Sequence, residues 1–430
     1  ADLEGCNPTF RAHLERMTIR DRVDQLVDNC IQGHLRQHTL SDTLREDLYD
    51  LPPLANLMFV RDLGAVMNRS VVIGAMAYGI RARETLLFRW IVRYHPLFRS
   101  AGSNRIWLDE VQEQRATMMA SVGGAGFARF TLESGAFRLR GARSLTVGEH
   151  VFAGTAAQIA TDDAFLELAD VKLSLGQQLV LETGNLFVLT PTTLLIGVNE
   201  RGSIAAVEAL ARAMCEHPSE IATIIVVAQP RQRPALYAQH LDTGFAVLWQ
   251  GAERVECLIH PPMTDPTHAD VVVRIIQLDG AIPRVVEADD LRTSLATAFG
   301  VAGENICCVP IAGKPDQSSS DGVWHRIQRE REWYSQAANV LTLAPGKVIA
   351  FQRNRLTLNA LQEQGYKEIP AREVAGVQGF LDWSQEEVEA WIADVERKSV
   401  ITIADGELSR AHGGPRSMVL PLRRDPLPTL

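Results

Sequence analysis

Four polar side chains lie next to apolar runs that a folded chain would bury. Asp62 ends the run "LANLMFVRD", Glu182 lies within "LVLETGNLFVL", and His240 and Asp242 lie two residues apart in "QHLDTGFAVLW". Residues two apart share one face of an extended segment. A buried carboxylate is costly unless a cation or donors match it, so each acid alone indicates a structural ion pair or a turn cap. Together, the three carboxylates and the imidazole predict a site for a planar cation such as a guanidinium, which offers five donors in a fixed fork.

Two arginines supply the opposite charge. Arg81 lies in "GIRARETL" and Arg201 in "GVNERGS". A guanidinium matches a carboxylate with two parallel hydrogen bonds, so both side chains are suited to holding an anionic group. A ligand that is cationic at one end and anionic at the other has the chemistry of arginine.

A hydroxyl residue near the end of the chain has the setting of a nucleophile. In "SRAHGGPRSMVLPLRRDP", residues 409–426, a glycine turn, a proline and Arg416 lead to Ser417, which we predict to lie at the start of an apolar strand. Loops held by rigid strands often carry reactive side chains. A serine hydroxyl attacks only when a base takes its proton, so Ser417 needs a partner such as His240.

Composition limits the class of protein and its partners. The chain has 430 residues, 46% hydrophobic and 22% charged, with a net charge of −9, which is typical of a globular protein. The acidic balance argues against a nucleic-acid partner. We expect no membrane partner, because no apolar run reaches about 18 residues. The six scattered cysteines predict reduced thiols and a cytoplasmic location.

The texture of the sequence changes near residue 51. Residues 9–37 carry apolar side chains at helical spacing, so we predict a helical segment over 1–50. From residue 51, short β-branched runs alternate with helical patterns, which predicts an α/β domain over 51–430. Within it, the glycine-punctuated stretch at about 100–180 is interpreted as a β-rich insertion.

One internal repeat indicates how the domain is built. Residues 185–214 and 339–365 share a strand, a proline turn, a second strand, a polar segment and a helix, and aligning Pro191 on Pro345 places Arg201 on Arg355. Repetition in a fixed order predicts modules around an axis, each contributing loops to a shared centre.

The sequence resembles the arginine deiminases of the guanidino-group modifying superfamily. Six segments carry the resemblance in the order of the family: "NLMFVRD", "IRARETL", "LETGN…IGVNER", "HLDT", "ANVLTLAPGKVIAFQRN" and "ELSRAHGGPRSMVLPLRRDP". They span roughly residues 9–99 and 180–430. The resemblance implies a five-bladed α/β propeller with pseudo-fivefold repeats of a strand-strand-helix-strand unit. It also implies hydrolysis of L-arginine to citrulline and ammonia through a covalent thiouronium, with no metal or organic cofactor and a possible homo-oligomer.

The resemblance also implies residue roles. Asp62 and Asp242 match the acids that bind the substrate guanidinium, and Glu182 matches the partner of His240, the general acid and base. Asn56, Arg81 and Arg201 fall on positions that hold the amino acid end of the substrate. In the loop, Arg416 precedes the nucleophile position, and His412 lies where an arginine is usual.

Several positions depart from the family pattern. Ser417 replaces the cysteine nucleophile, and Thr183 and Asn185 replace residues of the family's "EGGD" segment. A hydroxyl is a poorer nucleophile than a thiolate, so we expect deimination to be lost or strongly reduced.

Three interpretations of these departures stay open. The chain is an arginine deiminase carrying a cysteine-to-serine change that traps substrate. Alternatively, it is a natural non-catalytic homologue that binds arginine or a related guanidino compound for regulation or assembly. In the third, Ser417 acts on another substrate, by amidino transfer or on a non-guanidine amide.

Overall fold

The computed structural model describes residues 54–108 and 179–424, with gaps at 55, 79–80, 100–103, 217–218, 230–238, 265–270, 281, 315–321, 376–382 and 407. Outside these ranges it describes Arg16, Thr18 and short strands between residues 34 and 153. The described part is a mixed α/β fold.

The strands are short. They are β1 (His34–Leu35), β2 (Tyr49–Leu51), β3 (Gly64–Met67), β4 (Ser70–Ile73), β5 (Asn104–Trp107), β6 (Arg129–Glu133), β7 (Ala136–Arg140), β8 (Ser144–Val147), β9 (His150–Ala153), β10 (Leu186–Thr190), β11 (Thr193–Val198), β12 (Thr223–Ala228), β13 (Phe245–Gln250), β14 (Val255–Ile259), β15 (Val272–Gln277), β16 (Arg284–Glu287), β17 (Ile306–Pro310), β18 (Leu341–Ala344), β19 (Lys347–Phe351), β20 (Lys367–Pro370) and β21 (Ser399–Ile403).

The helices lie between these strands. They are α1 (Ala82–Tyr94), α2 (Pro96–Arg99), α3 (Ile204–Glu216), α4 (Leu291–Phe299), α5 (Gly322–Tyr334), α6 (Arg355–Glu363), α7 (Ala371–Ala375) and α8 (Gln385–Ala393). Capping residues explain where two of these helices begin and where one of them ends. The Asp290 side chain accepts the Thr293 N–H at the start of α4, and Gly300 ends that helix with a positive φ of 69°. Ser384 and Glu387 form a capping box at the start of α8.

One unit recurs four times in the described residues. Each unit has an antiparallel hairpin, then a helix, and a strand that pairs in parallel with the second hairpin strand. The four units are β3, β4, α1 and β5; β10, β11, α3 and β12; β13, β14, α4 and β17; and β18, β19, α6 and β21. Strands β15 and β16 extend the second sheet, and β20 extends the fourth. Both copies of the repeat at 185–214 and 339–365 have the predicted strand, turn, strand and helix.

Consecutive units share their hydrophobic cores. One cluster joins the first and second units through residues such as Val72 and Leu210. A second joins the second and third units and includes the edge-to-face pair Phe187 and Phe245. A third joins the third and fourth units, around Leu258. The units therefore pack side by side in chain order, since burial of apolar area drives this contact.

Each unit begins with a short turn that precedes its first strand. The 3-10 turns Val60–Asp62, Thr183–Asn185 and Leu241–Thr243 precede β3, β10 and β13, and residues 335–338 form a turn before β18. All four turns carry buried polar side chains. These turns and the residues beside them supply the polar side chains of the candidate site.

The other predictions about secondary structure have different outcomes. The strand predicted from Ser417 is wrong: residues 415–418 form a turn and 419–424 have no regular structure. Pro421 has no N–H to donate to a sheet ladder, which opposes a strand there. Within the predicted insertion, β6 with β7 and β8 with β9 form two hairpins. Helices were predicted over 9–37, where the structure describes only Arg16, Thr18 and β1. His34–Leu35 are a strand, so the predicted helix does not include them. The rest of the helical segment over 1–50 lies outside the described residues, apart from the start of β2, and stays a prediction. In the described part of the chain, no helix is both long and apolar enough to cross a membrane.

The buried carboxylate of Glu332 binds the start of α6 in the fourth unit, and its contribution to stability can be tested. Its carboxylate is 5% exposed and accepts hydrogen bonds from the N–H of Leu356 (2.8 Å) and from both the N–H (2.8 Å) and the hydroxyl (2.6 Å) of Thr357, at the start of α6. Loss of these bonds leaves buried donors unpaired. We expect Glu332→Ala to lower the free energy of unfolding by about 3 kcal/mol, measured by urea denaturation. The exposed Glu363→Ala, on α6 itself, is the control and should change it by less than about 0.5 kcal/mol; equal effects would contradict this role.

Candidate active site

His240 lies between two carboxylates. Its Nε2 is 2.8 Å from Glu182 Oε2, and its Nδ1 is 3.7 Å from Asp62 Oδ1. All three residues are at most 4% exposed. Burial opposes the charged imidazole, but the carboxylates of Asp62 and Glu182 outweigh it and raise the pKa of His240. This shift favours the protonated imidazolium, the form that is suited to giving a proton.

Glu182 is held as an anion. Burial favours its neutral form, but the hydrogen bond and charge of His240, with the nearby Arg201 and Arg81, lower the pKa of Glu182 to about 2. Its Oε2 lies 3.2 Å from Arg201 Nη1, and its Oε1 accepts the N–H of Ala77 at 3.1 Å. Both oxygens therefore have donors.

Asp62 and Asp242 each have one oxygen in a close ion pair and one oxygen without a hydrogen bond in the described part of the chain; for Asp62, that second oxygen lies 3.7 Å from His240 Nδ1, beyond hydrogen-bond distance. Asp62 Oδ2 lies 2.6 Å from Arg81 Nη1, and Asp242 Oδ2 lies 2.7 Å from Arg416 Nη1. The Oδ1 atoms of both acids are buried without a hydrogen-bond partner among the described residues. Burial raises the pKa of Asp242, and Arg416 only partly offsets it. A buried charged acceptor without a donor is costly, so these two oxygens mark where a ligand with donors belongs.

Arg81 differs from the role predicted for it. It is 2% exposed, and besides Asp62 it donates from Nε to Glu84 Oε2 at 2.9 Å and from Nη2 to the carbonyls of Asn56 (3.3 Å) and Phe59 (3.4 Å). Its guanidinium is therefore occupied by the protein itself. Glu84 also accepts the Asn56 N–H at 3.0 Å and thereby ties two predicted site residues together. Sequence reasoning missed Glu84, although its spacing of three from Arg81 on a helix is a signal for contact.

Arg201 keeps part of its side chain exposed. Its guanidinium contacts Glu182 and lies 5.1 Å from the centre of the Tyr78 ring, with 17% of the side chain exposed. The Tyr78 hydroxyl donates to Glu200 Oε1 at 2.5 Å, which fixes the ring. Of the two arginines predicted to hold a carboxylate, Arg201 is the one with an exposed surface.

Ser417 is buried and bonded to an asparagine. It is 3% exposed, its Oγ lies 3.0 Å from Asn339 Nδ2, and its N–H donates to Asn339 Oδ1 at 3.1 Å. Its carbonyl accepts the N–H of Arg61 at 3.0 Å, which joins the loop to the turn that carries Asp62. Among the described contacts there is no hydrogen bond between Ser417 and His240. Asn339 was not predicted as a site residue, although it lies in a segment that carries the family resemblance.

The remaining loop residues have distinct surroundings. His412, with a φ of 59°, lies edge-to-face on Tyr334, and its Nε2 is 3.0 Å from the tyrosine hydroxyl. Burial and the charge of Arg201 lower the pKa of His412, so it is neutral near pH 7. Arg416 packs 3.8 Å from the centre of the Phe187 ring and donates to the Leu186 carbonyl at 3.0 Å.

The departures at Thr183 and Asn185 have structural partners. The Thr183 hydroxyl donates to the Arg61 carbonyl at 2.5 Å. Asn185 Oδ1 accepts the Leu241 N–H at 2.8 Å, between His240 and Asp242. A side chain at Gly184 would place its Cβ 2.9 Å from both Asp62 Oδ1 and His240 Nδ1. This turn therefore holds the catalytic candidates together and leaves room between them.

The same atoms have the donor types of a metal site. One ligand atom each from Asp62, Glu182 and His240 lies within 4.8 Å of the others. However, Glu182 Oε2 already lies 2.8 Å from His240 Nε2 and 3.6 Å from Arg81 Nη1. The oxygens of Glu182 are therefore already matched by groups of the protein, whereas the Oδ1 atoms of Asp62 and Asp242 accept no hydrogen bond from any described residue and suit a ligand that brings its own donors.

Comparison with known proteins agrees with the resemblance found in the sequence. The sequence model for arginine deiminase matches residues 7–124 and 161–424. An arginine deiminase of Clostridium perfringens (strain SM101 / Type A) is 24% identical over 412 residues, covering 94% of this chain and 71% of the relative. One from Borrelia garinii subsp. bavariensis is 22% identical over 419 residues, covering 97% and 73%.

Solved structures are more distant. The N-terminal domain of ArgZ, an arginine dihydrolase from cyanobacteria, superposes with a TM-score of 0.41 at 12% identity, covering 87% of this chain and 78% of that one. The amidinotransferase SxtG from Microseira wollei also gives 0.41, at 14% identity, covering 85% and 70%. At these scores the likeness does not assign a function or a detailed fold.

The low pKa of Glu182 predicts how the free energy of unfolding depends on pH. Its folded pKa of about 2 lies below the ordinary value of 4.5, so its stabilisation is present above about pH 4.5 and is lost as the pH falls toward 2. We expect Glu182→Gln to reduce the loss of unfolding free energy between pH 6 and pH 3 by about 2 kcal/mol, measured by urea denaturation. Glu208→Gln, at an exposed helix position, should keep the parent slope. An unchanged slope in Glu182→Gln would refute this assignment.

Proposed function

We propose a function for this chain from one premise: it belongs to the arginine deiminase family. The proposed ligand is L-arginine or a related guanidino compound, bound with its guanidinium between Asp62 and Asp242. The observation that carries this proposal is the pair of buried Oδ1 atoms that have no donor among the described residues. A guanidinium brings donors on both sides of its central carbon, so it is suited to two acceptors that receive no hydrogen bond from the described residues.

The catalytic roles follow from the surroundings of His240. In the full reaction, a thiolate at position 417 attacks the guanidinium carbon, and His240 gives its proton to the leaving ammonia. Water then adds to the thiouronium carbon as His240 takes one of its protons. The C–S bond breaks while the adduct hydroxyl loses its remaining proton to the solvent, where ammonia takes it up as ammonium, so citrulline is released and the thiolate is regenerated. The raised pKa of His240 supports its role as the acid in the first step.

Ser417 blocks the first step of this scheme. Its hydroxyl keeps its proton at neutral pH and needs a base, yet the raised pKa of the candidate base, His240, favours its protonated form, and His240 makes no hydrogen bond to Ser417 among the described contacts. Both observations favour a chain that binds a guanidino compound and hydrolyses it slowly or not at all. A natural non-catalytic homologue and a substituted enzyme share this behaviour. The raised pKa of His240 also disfavours a reaction of Ser417 with another substrate, because it makes His240 less available as a base.

For the fold, we propose the five-bladed propeller of the family. Four described units of the same build, packed side by side with shared cores, support four of the blades. The turns before their first strands would then face a common centre. A cytoplasmic location stays an expectation, and so does a homo-oligomer.

Arginine binding tests the ligand. We expect L-arginine to bind and citrulline, which has a neutral ureido group of similar shape, to bind at least about tenfold more weakly, measured by calorimetry at pH 7. Asp62→Asn should weaken arginine binding by at least about tenfold, because a charge-assisted bond becomes neutral. Asp405→Asn, whose carboxylate contacts Arg353 instead, is the control. Equal affinity for arginine and citrulline would contradict the proposal.

Restoring sulfur tests the chemistry. We expect Ser417→Cys to raise the rate of citrulline formation from arginine by at least about a thousandfold, because the thiolate needs no base during attack. The assay measures citrulline, with His240→Ala in the Ser417→Cys background as the control that should lose the gain. Equal rates with serine and cysteine would show that position 417 is not the nucleophile.

A further inference from the structure

Asn339 lies in the fourth unit at a position that carries site residues in the other three. Asp62 lies two residues before β3, and Asn339 lies two residues before β18. In the second and third units, Glu182 and Asp242 lie four and three residues before the first strand. The fourth unit therefore presents a polar side chain from the same place in its fold.

Its side chain is buried and oriented by what it contacts. Asn339 is 1% exposed. Its Oδ1 accepts the backbone N–H of Ser417, a group that only donates, so the oxygen must be the atom at that position. The Nδ2 is then the atom 3.0 Å from Ser417 Oγ and points an N–H at it. These two hydrogen bonds therefore fix the orientation of the Asn339 amide.

The surrounding loop keeps this pair together. The Asn339 carbonyl also accepts the Arg416 N–H, at 3.4 Å. A Cβ on Gly414 would come within 2.6 Å of three Asn339 atoms, namely Cβ, O and Oδ1. The glycine therefore lets the loop reach the asparagine, and two backbone N–H groups of the loop end on Asn339.

We propose that Asn339 is the positioning residue for the side chain at position 417, fixing it through its Oδ1 and stabilising a negative charge on it through its Nδ2–H. An N–H donor favours the anionic form of the group it meets, so a thiol in this place is shifted toward thiolate. The inference depends on the proposed function in one respect: it requires position 417 to be the nucleophile position.

The same contact predicts that a serine at position 417 is less reactive than a cysteine. The Ser417 hydroxyl lies 3.2 Å from Asn339 Oδ1 as well as 3.0 Å from its Nδ2, so it satisfies its donor and an acceptor site on one amide. A thiolate has no proton to give and uses only the Nδ2–H. Asn339 therefore suits the charged sulfur and holds the neutral hydroxyl in place.

The test measures the acidity of a thiol and does not need catalysis. In the Ser417→Cys protein, the thiol pKa is read from the pH dependence of iodoacetamide alkylation at position 417, followed by peptide mass spectrometry. Adding Asn339→Ala should raise that pKa by about one unit, so alkylation below the midpoint slows about tenfold. Adding Asn339→Asp keeps an oxygen for the 417 N–H but replaces the donor with a charge, and should raise the pKa further.

A matched control separates positioning from stability. Asn354 is 3% exposed and donates to the Ser335 carbonyl at 3.1 Å, away from Ser417. Asn354→Ala in the same background should lower the thermal midpoint but leave the thiol pKa unchanged. If the thiol pKa stays the same after Asn339→Ala and after Asn339→Asp, the inference is overturned. If the thiol pKa shifts but the protein does not bind arginine, the proposed ligand is contradicted and the role of Asn339 is retained.

Discussion

The structure depends on how buried carboxylates are matched by cations. Asp62, Glu182 and Asp242 are each at most 3% exposed. Removing such charges from water costs several kcal/mol per group unless partners replace the solvent. Glu182 is matched on both oxygens, whereas Asp62 and Asp242 are matched on one oxygen each by Arg81 and Arg416. Each of these two acids therefore keeps one oxygen without a hydrogen bond among the described residues, and the proposed guanidinium site is built on these two oxygens.

The repeated unit explains how distant residues meet. Asp62 and His240 are 178 positions apart in the sequence, yet their side chains are in contact because each lies at the turn before the first strand of a unit. Shared apolar clusters fix the units against each other, so the turns have one relative arrangement. The hydrogen bonds of Thr183 and Asn185 then connect neighbouring turns directly.

Sequence reasoning was strongest where a local pattern has one physical meaning. Acids at the ends of apolar runs predicted the cluster of Asp62, Glu182 and Asp242, and the repeat predicted the order of strands and helix. The contacts of long side chains could not be predicted from the sequence, because an arginine can reach several partners and only the fold selects among them. Arg81 bonds to Asp62 and Glu84, and Arg416 bonds to Asp242. The strand predicted from Ser417 is wrong because the apolar run that suggested it contains Pro421, which has no N–H to donate to a sheet ladder.

The central claim is that two unpaired carboxylate oxygens hold a guanidinium. Its most direct test is a crystal structure of the unmodified chain grown with saturating L-arginine. The account predicts guanidinium nitrogens within about 3 Å of both Asp62 Oδ1 and Asp242 Oδ1, with the carbon facing Ser417. Arginine bound elsewhere, with both oxygens still lacking a donor, would contradict it.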